Sequence, residues 1–399
     1  MKSKISALFA GMALLAALGI MVQAPAQAAG ITYITLNDPN AATGAGQGTL
    51  GFGINPLGVV VGFYYSSGNV RHGFVTKPPY TTFTEIDVPG AGTANDQGTQ
   101  VFAINPAGAI TGVYTDSSYV THGFESNPPY TTTTTFNAPG AGSQDLTCPI
   151  YNSNYYIFQG TAGQSIDLSG TIAGSYVDST CVLHGFVTKP PYTTFTDFNA
   201  SGAGDSFVPN VGYLEGTVPS YFSGINQLGV ISGTYVDATG DAHAFVRATN
   251  GTITPINVST AVAGSGLGTF GASINLAGSV AGYYAINAEG AFGGFVRTPN
   301  GSISMFSVTG GGTGAGQGTQ VENINLEGTI TGYYADSNSI YYGFVRGPLG
   351  SITTFSVPGA GATPNSNQGT FPSSNDPVGG ITGNYVDGSG VNHGFVAKL

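Results

Sequence analysis

Five histidines are the residues best suited to chemistry in this chain. They occupy equivalent places, each two residues before a Phe: His72, His122, His184, His243 and His393. Four have an Asp six residues earlier, namely Asp116, Asp178, Asp237 and Asp387. An Asp that orients an imidazole is the geometry of general-base catalysis. The same pair also makes a cross-strand hydrogen bond that closes a turn. Repetition separates the two readings, because a catalytic pair is needed once and a structural bond in every repeat. The pairs are read as structural. Gly293 and Tyr342 stand where two further histidines would be, so the bond is helpful rather than obligatory.

Other chemistries find less support. The turns DATGDAH (237–243) and DGSGVNH (387–393) resemble calcium loops but lack the alternating carboxylates and the distal Glu. No GxSxG, HExxH, phosphate-loop or CxxC motif occurs, and Gly-rich stretches such as 309–318 precede no helical pattern. No catalytic residue, metal ligand or cofactor is assigned. The aromatics that break the repeat are better candidates for a ligand site. Tyr151, Tyr155, Tyr156 and Phe158 cluster in one insertion, and Phe207, Tyr213, Tyr221 and Phe222 in the next. A Tyr offers a flat apolar face and a hydroxyl, suited to stacking on a sugar or anchoring a protein partner. The opposing reading is that these rings pack their loops onto the scaffold. Tyr151, Tyr155, Tyr156, Phe158, Tyr213 and Tyr221 form the candidate binding set. Asp145, Asp205 and Glu215 lie in the same loops and would matter if they converged in a cleft.

These residues must be positioned by a repeat that occurs seven times, seen in Ile104 to Phe124 as INPAGAITGVYTDSSYVTHGF. An Asn or Asp opens it, at Asn55, Asn105, Asp167, Asn226, Asn275, Asn325 and Asp376, and a Gly follows three residues later in every copy. That is the chemistry of a tight turn, in which the Asx side chain caps and Gly supplies positive φ. Ile110, Gly112 and Tyr114 then follow at two-residue steps, the period of a strand. A second strand carries HGFV, with its Phe present in all seven copies. A third strand follows a PPY or NG turn, and a fourth lies upstream of the Asx, opening with Gly-Thr. Four strands in a repeat of about 50 residues predict a β-propeller blade.

The ends predict closure. The chain stops after the HGFV strand of repeat seven, leaving that blade without its last strand, while residues 31–40 read as such a strand with no blade of its own. Pairing the two closes a seven-bladed ring, four strands per blade, and removes sheet edges that would invite aggregation. Insertions between Gly142 and Gly160 and at 205–215 join one blade's outer strand to the next blade's inner strand, side by side on one rim. Repeat four is also expected to stretch its inner strand with Pro219, Ser220 and Tyr221. Cys148 lies in the first insertion and Cys181 in a hairpin on the same rim. A disulfide is the favoured reading in an exported chain, and free or metal-bound thiols are the alternative.

Residues 1–28 read as a secretory signal. Lys2 and Lys4 precede an apolar run, and Ala26-Gln27-Ala28 fits a cleavage site. Residues 29–399 then form a single domain. Removing Lys2 and Lys4 from nine basic residues leaves seven against 20 acidic ones, a net −13. That balance disfavours nucleic acid and anionic membranes. Charged residues are only 7 % of the chain, but regular Val, Ile, Phe and Tyr positions argue against disorder. Six of the seven remaining cations mark one turn of the repeat, and most Asp residues the opposite rim.

The INxxGxIxGxYxDxxGxxHGF unit resembles the bacterial extracellular repeat family named for its His-Ala-Phe triplet, literal here at His243-Ala244-Phe245. The resemblance covers nearly all of residues 29–399 and implies an exported repeat protein, with no activity or catalytic residues attached. The expectation is therefore an exported or cell-surface propeller, monomeric and not inserted in a membrane. It would bind a glycan or a protein on the rim of repeats three and four. The alternatives are an enzyme acting on extracellular polysaccharide and a purely structural envelope component.

Overall fold

The computed structural model describes residues 30–144, 147–149, 156–206 and 215–398. Residues 1–28, read above as a signal, lie outside them. Each repeat is organised by its Asx turn. Asn55 Oδ1 accepts the backbone N–H groups of Leu57 (3.1 Å) and Val59 (3.0 Å). Gly58 takes the left-handed conformation, φ 73°, that the turn requires. The same two bonds recur at Asn105, Asp167, Asn226, Asn325 and Asp376. Asn275 makes the second of them, to Ser279 N–H.

In repeat one the turn joins Gly48–Ile54 to Val60–Tyr65, and Arg71–Thr76 and Phe83–Ile86 follow. The four pair antiparallel in chain order. The order repeats along the chain and reaches Gly369–Asn375, Gly380–Val386 and Asn392–Lys398. That last ladder is completed from the other end of the protein. Thr32–Leu36 pairs antiparallel with Asn392–Lys398, in register from Thr32↔Lys398 to Leu36↔Gly394. Bridges such as Arg71↔Gly98 link one ladder to the next, and Gly48↔Asn392 links the first to the last. The result is one continuous sheet of 28 strands with a separate two-stranded pair. One cavity of about 240 Å³ is lined by Asn55, Asn105, Ile166, Asn226, Asn275, Asn325 and Asp376, one from each repeat. The ladders therefore surround a common axis with their first strands innermost, and the chain is an all-β propeller. No helix of the described residues is long and apolar enough to cross a membrane.

The repeat Phe forms the core between ladders. Phe74, Phe124, Phe186, Phe245, Phe295, Phe344 and Phe395 are all fully buried, and each stabilises the ring by about 2–3 kcal/mol through burial. The strand glycines make room for the neighbouring backbone: a Cβ on Gly112 would lie 2.0 Å from the carbonyl oxygen of Gln100. The Thr of the Gly-Thr pair fastens each first strand to the chain leaving the previous ladder. Thr99 Oγ1 accepts Val88 N–H, and Thr161, Thr217, Thr269, Thr319 and Thr370 do the same for their predecessors. Thr49 accepts Asp38 N–H at 2.9 Å, so the N-terminal strand is held by the same bond as the internal ones. The repeat cations pack on outer-strand rings, with Arg247 4.7 Å from the Phe198 centroid and Arg346 4.8 Å from that of Phe306.

Deleting residues 31–40 should expose the Asn392–Lys398 edge and remove Leu36, whose burial alone contributes about 2 kcal/mol. The truncated protein should melt lower and self-associate with rising concentration in size-exclusion chromatography. An equally stable monomer would refute the closure.

Candidate functional site

Strand direction divides the propeller into two faces. One carries the Asx turns and the PPY or NG turns. The other carries the hairpins after each second strand and the loops that lead to the next repeat, and the described ends of both long insertions lie on this second face. The first insertion is fastened there. Cys148 and Cys181 form a disulfide with Cα atoms 5.6 Å apart, and Cys148 is buried against Val177. Within the insertion Thr147–Pro149 pairs with Tyr156–Phe158. The ring of Phe158 lies 5.3 Å from that of Tyr119, in the repeat-two hairpin. Tyr151, Tyr155 and Tyr213 lie outside the described residues, as do Phe207 and Asp145. Tyr156 is placed on its strand.

The two described acids of these loops do different things. Asp205 is exposed. Glu215 is buried and stands where other repeats carry Gln47, Gln97, Gln317 and Gln368. Those glutamines accept a loop N–H through Oε1, as Gln97 does from Ala94 at 2.9 Å. Glu215 Oε2 accepts Ser206 N–H at 3.3 Å in the same way. It is a structural residue of the repeat, which alignment of the copies would have revealed.

The histidines behave as the repetition implies. His122, His184, His243 and His393 meet their Asp partners through Nε2 at 3.1–3.2 Å, and each ring stacks on the repeat Tyr. Backbone N–H groups and the imidazole together hold the carboxyls of Asp116, Asp178 and Asp387 below the usual range, against the opposing effect of burial. For Asp237 the balance brings the value down to about 2. Repeat one departs. Ser66 replaces the Asp, and His72 Nδ1 instead faces Asp87 Oδ2 at 2.9 Å and Glu85 Oε1 at 3.2 Å. The three ligand atoms lie within 4.8 Å of one another, a spacing that could hold a metal ion. Tyr64 OH donates to Glu85 Oε1 at 3.0 Å.

The feature that sequence reading missed lies on the axis. In six inner strands the register slips by one residue, and the residues skipped are Phe52, Phe102, Gln164, Ala272, Glu322 and Ser373. A β-bulge re-aims the side chain it leaves unpaired. Here that direction is the axis, since the Phe52 and Phe102 rings of neighbouring repeats meet at 6.1 Å and Ala272 and Glu322 line one cavity. Repeat four differs again. Its inner strand is not stretched but short, Gly216–Pro219, because residues 220–223 leave it and cross the axis. Phe222 adopts φ 63°, a strained conformation for an aromatic residue. Four hydrogen bonds hold the crossing: Phe222 N–H to Gln164 O, Ser220 Oγ to Gly271 O, Ile274 N–H to Ser223 O, and Asn323 Nδ2 to Ser223 Oγ. Phe222 stacks on Phe52 at 5.0 Å, and Tyr221 meets Phe102 at 5.7 Å. Tyr221, a member of the candidate set, thus lies on the axis and not on the outer rim.

This crossing divides the axial space. On the Asx side lies the 240 Å³ cavity described above. Toward the insertion face lies one of about 290 Å³, lined by Tyr221, Phe222, Phe270, Tyr283 and Glu322 among others, and Phe222 borders both. Phe270 and Tyr283 stack at 4.9 Å, forming a fixed aromatic wall. Glu322 is half-buried in the wall of this cavity, and its partial removal from water pushes its carboxyl up to about 8. Tyr221 is 46 % exposed, yet the protein around its hydroxyl raises that group, against the opposing effect of a hydrogen bond with Gln164.

No protein-family model matches this chain, and no curated protein matches it. Among solved structures it is similar to the polysaccharide lyase Uly1, at 10 % identity over 86 % of this chain and 88 % of that one, TM-score 0.46. It is similar to the BP39L lectin from Burkholderia pseudomallei, at 12 % identity over 78 % and 82 %, TM-score 0.43. It is also similar to the β-propeller domain of the Trilobed protease from Pyrococcus furiosus, which has an open velcro topology, at 8 % identity over 80 % and 97 %, TM-score 0.38.

The raised carboxyl of Glu322 has a sign that stability measurements can read. The unfolded chain loses this proton near pH 4.5 and the folded one near 8. The associated stability is therefore full below about 4.5 and is lost as pH rises through 8. Glu322→Gln, which cannot ionise, should be neutral at pH 4 and stabilising at pH 9. Denaturant midpoints of both proteins at the two pH values test this, and an equal difference at both would contradict it.

Proposed function

We propose that the chain is an exported, monomeric seven-bladed propeller with four strands per blade, the last completed by Thr32–Leu36. We propose further that it binds carbohydrate on the face of the repeat-three and repeat-four insertions. The observation that carries this reading is the fastened insertion. The repeat is lengthened on one face, and there a disulfide at Cys148 and the Phe158–Tyr119 contact hold the two described ends of an insertion whose sequence is rich in Tyr. Rigid scaffolds present recognition residues on such loops. Tyr faces with few charges suit a neutral, hydroxyl-bearing ring. The disulfide and the sequence of residues 1–28 support export, in keeping with the extracellular His-Ala-Phe repeat resemblance.

Hydrolysis of polysaccharide is the weaker reading. It generally needs two carboxyls flanking the bond, and Glu322 is the one carboxyl among the residues lining the 290 Å³ cavity. A glycan array of the mature protein beside a Tyr151→Ala, Tyr155→Ala, Tyr156→Ala variant tests the binding reading. The variant should lose at least about tenfold in affinity, the cost of removing central aromatic anchors. A glycan bound equally by both would remove the site from this insertion. A glycan consumed during incubation would favour the enzyme, and binding by neither would leave a protein partner.

A further inference from the structure

We propose that the cavity between the Tyr221–Phe222 crossing and the insertion face is a binding site for a small organic cation, paired with Glu322 and lined by Tyr221, Phe222, Phe270 and Tyr283. This site is separate from the proposed glycan surface and does not depend on it. Three features of the cavity point to a cation. Its walls are largely apolar and aromatic, and its lining includes no Lys, Arg or His. Ring faces attract a desolvated positive charge. One carboxyl stands in the wall, and among the described residues its removal from water is the one influence on its ionisation. A carboxylate held partly out of water beside aromatic rings is costly without a counter-charge, and a bound ammonium group would supply that charge.

The placement of Glu322 is built into the strand. It is the residue skipped in the pairing of Gly318–Ile324 with Ile330–Ala335. Its neighbour Asn323 is tied to Ser223 of the crossing at 2.7 Å, and Ile324 N–H to Ser273 Oγ at 3.3 Å. An anion would meet the carboxyl and no counter-charge. A metal ion would find one carboxylate, too few ligands for a hard cation. The crossing and the strands paired with, bridged to or packed against Gly318–Ile324 carry Tyr221, Tyr283, Tyr284, Tyr333, Tyr334 and one charged residue, Arg297, which does not line the cavity. Glu322 is the one Asp, Glu, Lys, Arg or His among the residues lining the cavity.

Binding of a cation then balances as one proton released: the neutral carboxyl loses its proton to solvent and the carboxylate pairs with the ligand. Choline is a suitable probe because its quaternary nitrogen does not titrate, and 3,3-dimethylbutan-1-ol is its uncharged isostere. Calorimetric titration of the mature protein at pH 6, 7, 8 and 9 should show choline affinity rising about tenfold per unit to pH 8 and then levelling. About one proton should be released per site at pH 6–7, read from buffers of different ionisation enthalpy. The isostere should bind at least about tenfold more weakly at pH 8. Glu322→Gln should abolish the pH slope and weaken choline binding at pH 8 by a similar factor. The wild-type pH profile stands as a test even if that variant misfolds. Absence of choline binding, a flat pH profile, or equal binding of the isostere would overturn the proposal. Glycan binding on the insertion face can succeed or fail independently.

Discussion

The last ladder is incomplete until Thr32–Leu36 pairs with Asn392–Lys398, and the rest of the structure depends on that closure. A ladder of a few strands has two faces to bury and two edges to satisfy. Each repeat buries its Phe partly against its neighbour, as Phe186 meets Phe136 of the preceding repeat, so a ring broken at one point leaves the flanking core half covered. The chain joins its ends with parts it already uses elsewhere. Thr49 takes the N–H of Asp38 just as Thr99 takes that of Val88. Asn37 Oδ1 meets His393 Nδ1 at 2.9 Å as Asn137 Oδ1 meets His122. The seam is therefore chemically the same as an internal joint, and the ring has no specialised weak point in its hydrogen bonding.

The same constraint determines where side chains are free to vary. The Phe, the Gly-Thr pair and the Asx turn all contact an adjacent repeat, and each is fixed by that contact, while the strand Gly is fixed by the neighbouring strand of its own repeat. At the inner-strand bulge the pairing skips a residue, so its side chain answers only to the axis. There the six copies carry Phe, Phe, Gln, Ala, Glu and Ser. Repeat four abandons the bulge altogether and sends Tyr221 and Phe222 across. The axis is thus asymmetric by composition within a scaffold that is nearly symmetric, and asymmetry of that kind is what a single ligand site requires.

How much of this was legible follows from the same division. Positions that every repeat must satisfy announced themselves. The spacing of Asn105, Gly108, Ile110, Gly112 and Tyr114 specifies turn and strand, the five histidines explain one another, and the leftover strand at the N-terminus points to the seam. Cys148 and Cys181 are joined as export would favour. Positions that differ among repeats carried no such signal. Glu322 reads as one polar residue in a short strand, and only the register slip shows that it faces inward. Glu215 misleads in the opposite direction, since a Glu in a long loop looks available for chemistry until it is aligned with Gln97 and its equivalents. Tyr221 stood out as an aromatic, but its destination depended on Phe222 adopting a positive φ, which no sequence pattern advertises.

The ring also explains how a lone carboxyl can be kept in so unfavourable a place. An isolated strand would relieve a half-buried Glu by sliding its register or twisting the side chain toward water. Gly318–Ile324 can do neither. Val321 is fully buried on one side of Glu322, and on the other Asn323 is bonded across the axis to Ser223. The strand is paired along Ile330–Ala335 and bridged to Phe292 of the preceding ladder. A one-residue slip would turn every side chain of the strand to the wrong face, forfeiting the burial of Val321 and Ile324 together, at about 2 kcal/mol each. That loss exceeds what relief of a protonated carboxyl could return. Glu322 is held inward by the apolar packing of its own strand, and protonation is the adjustment left to it until an external charge arrives.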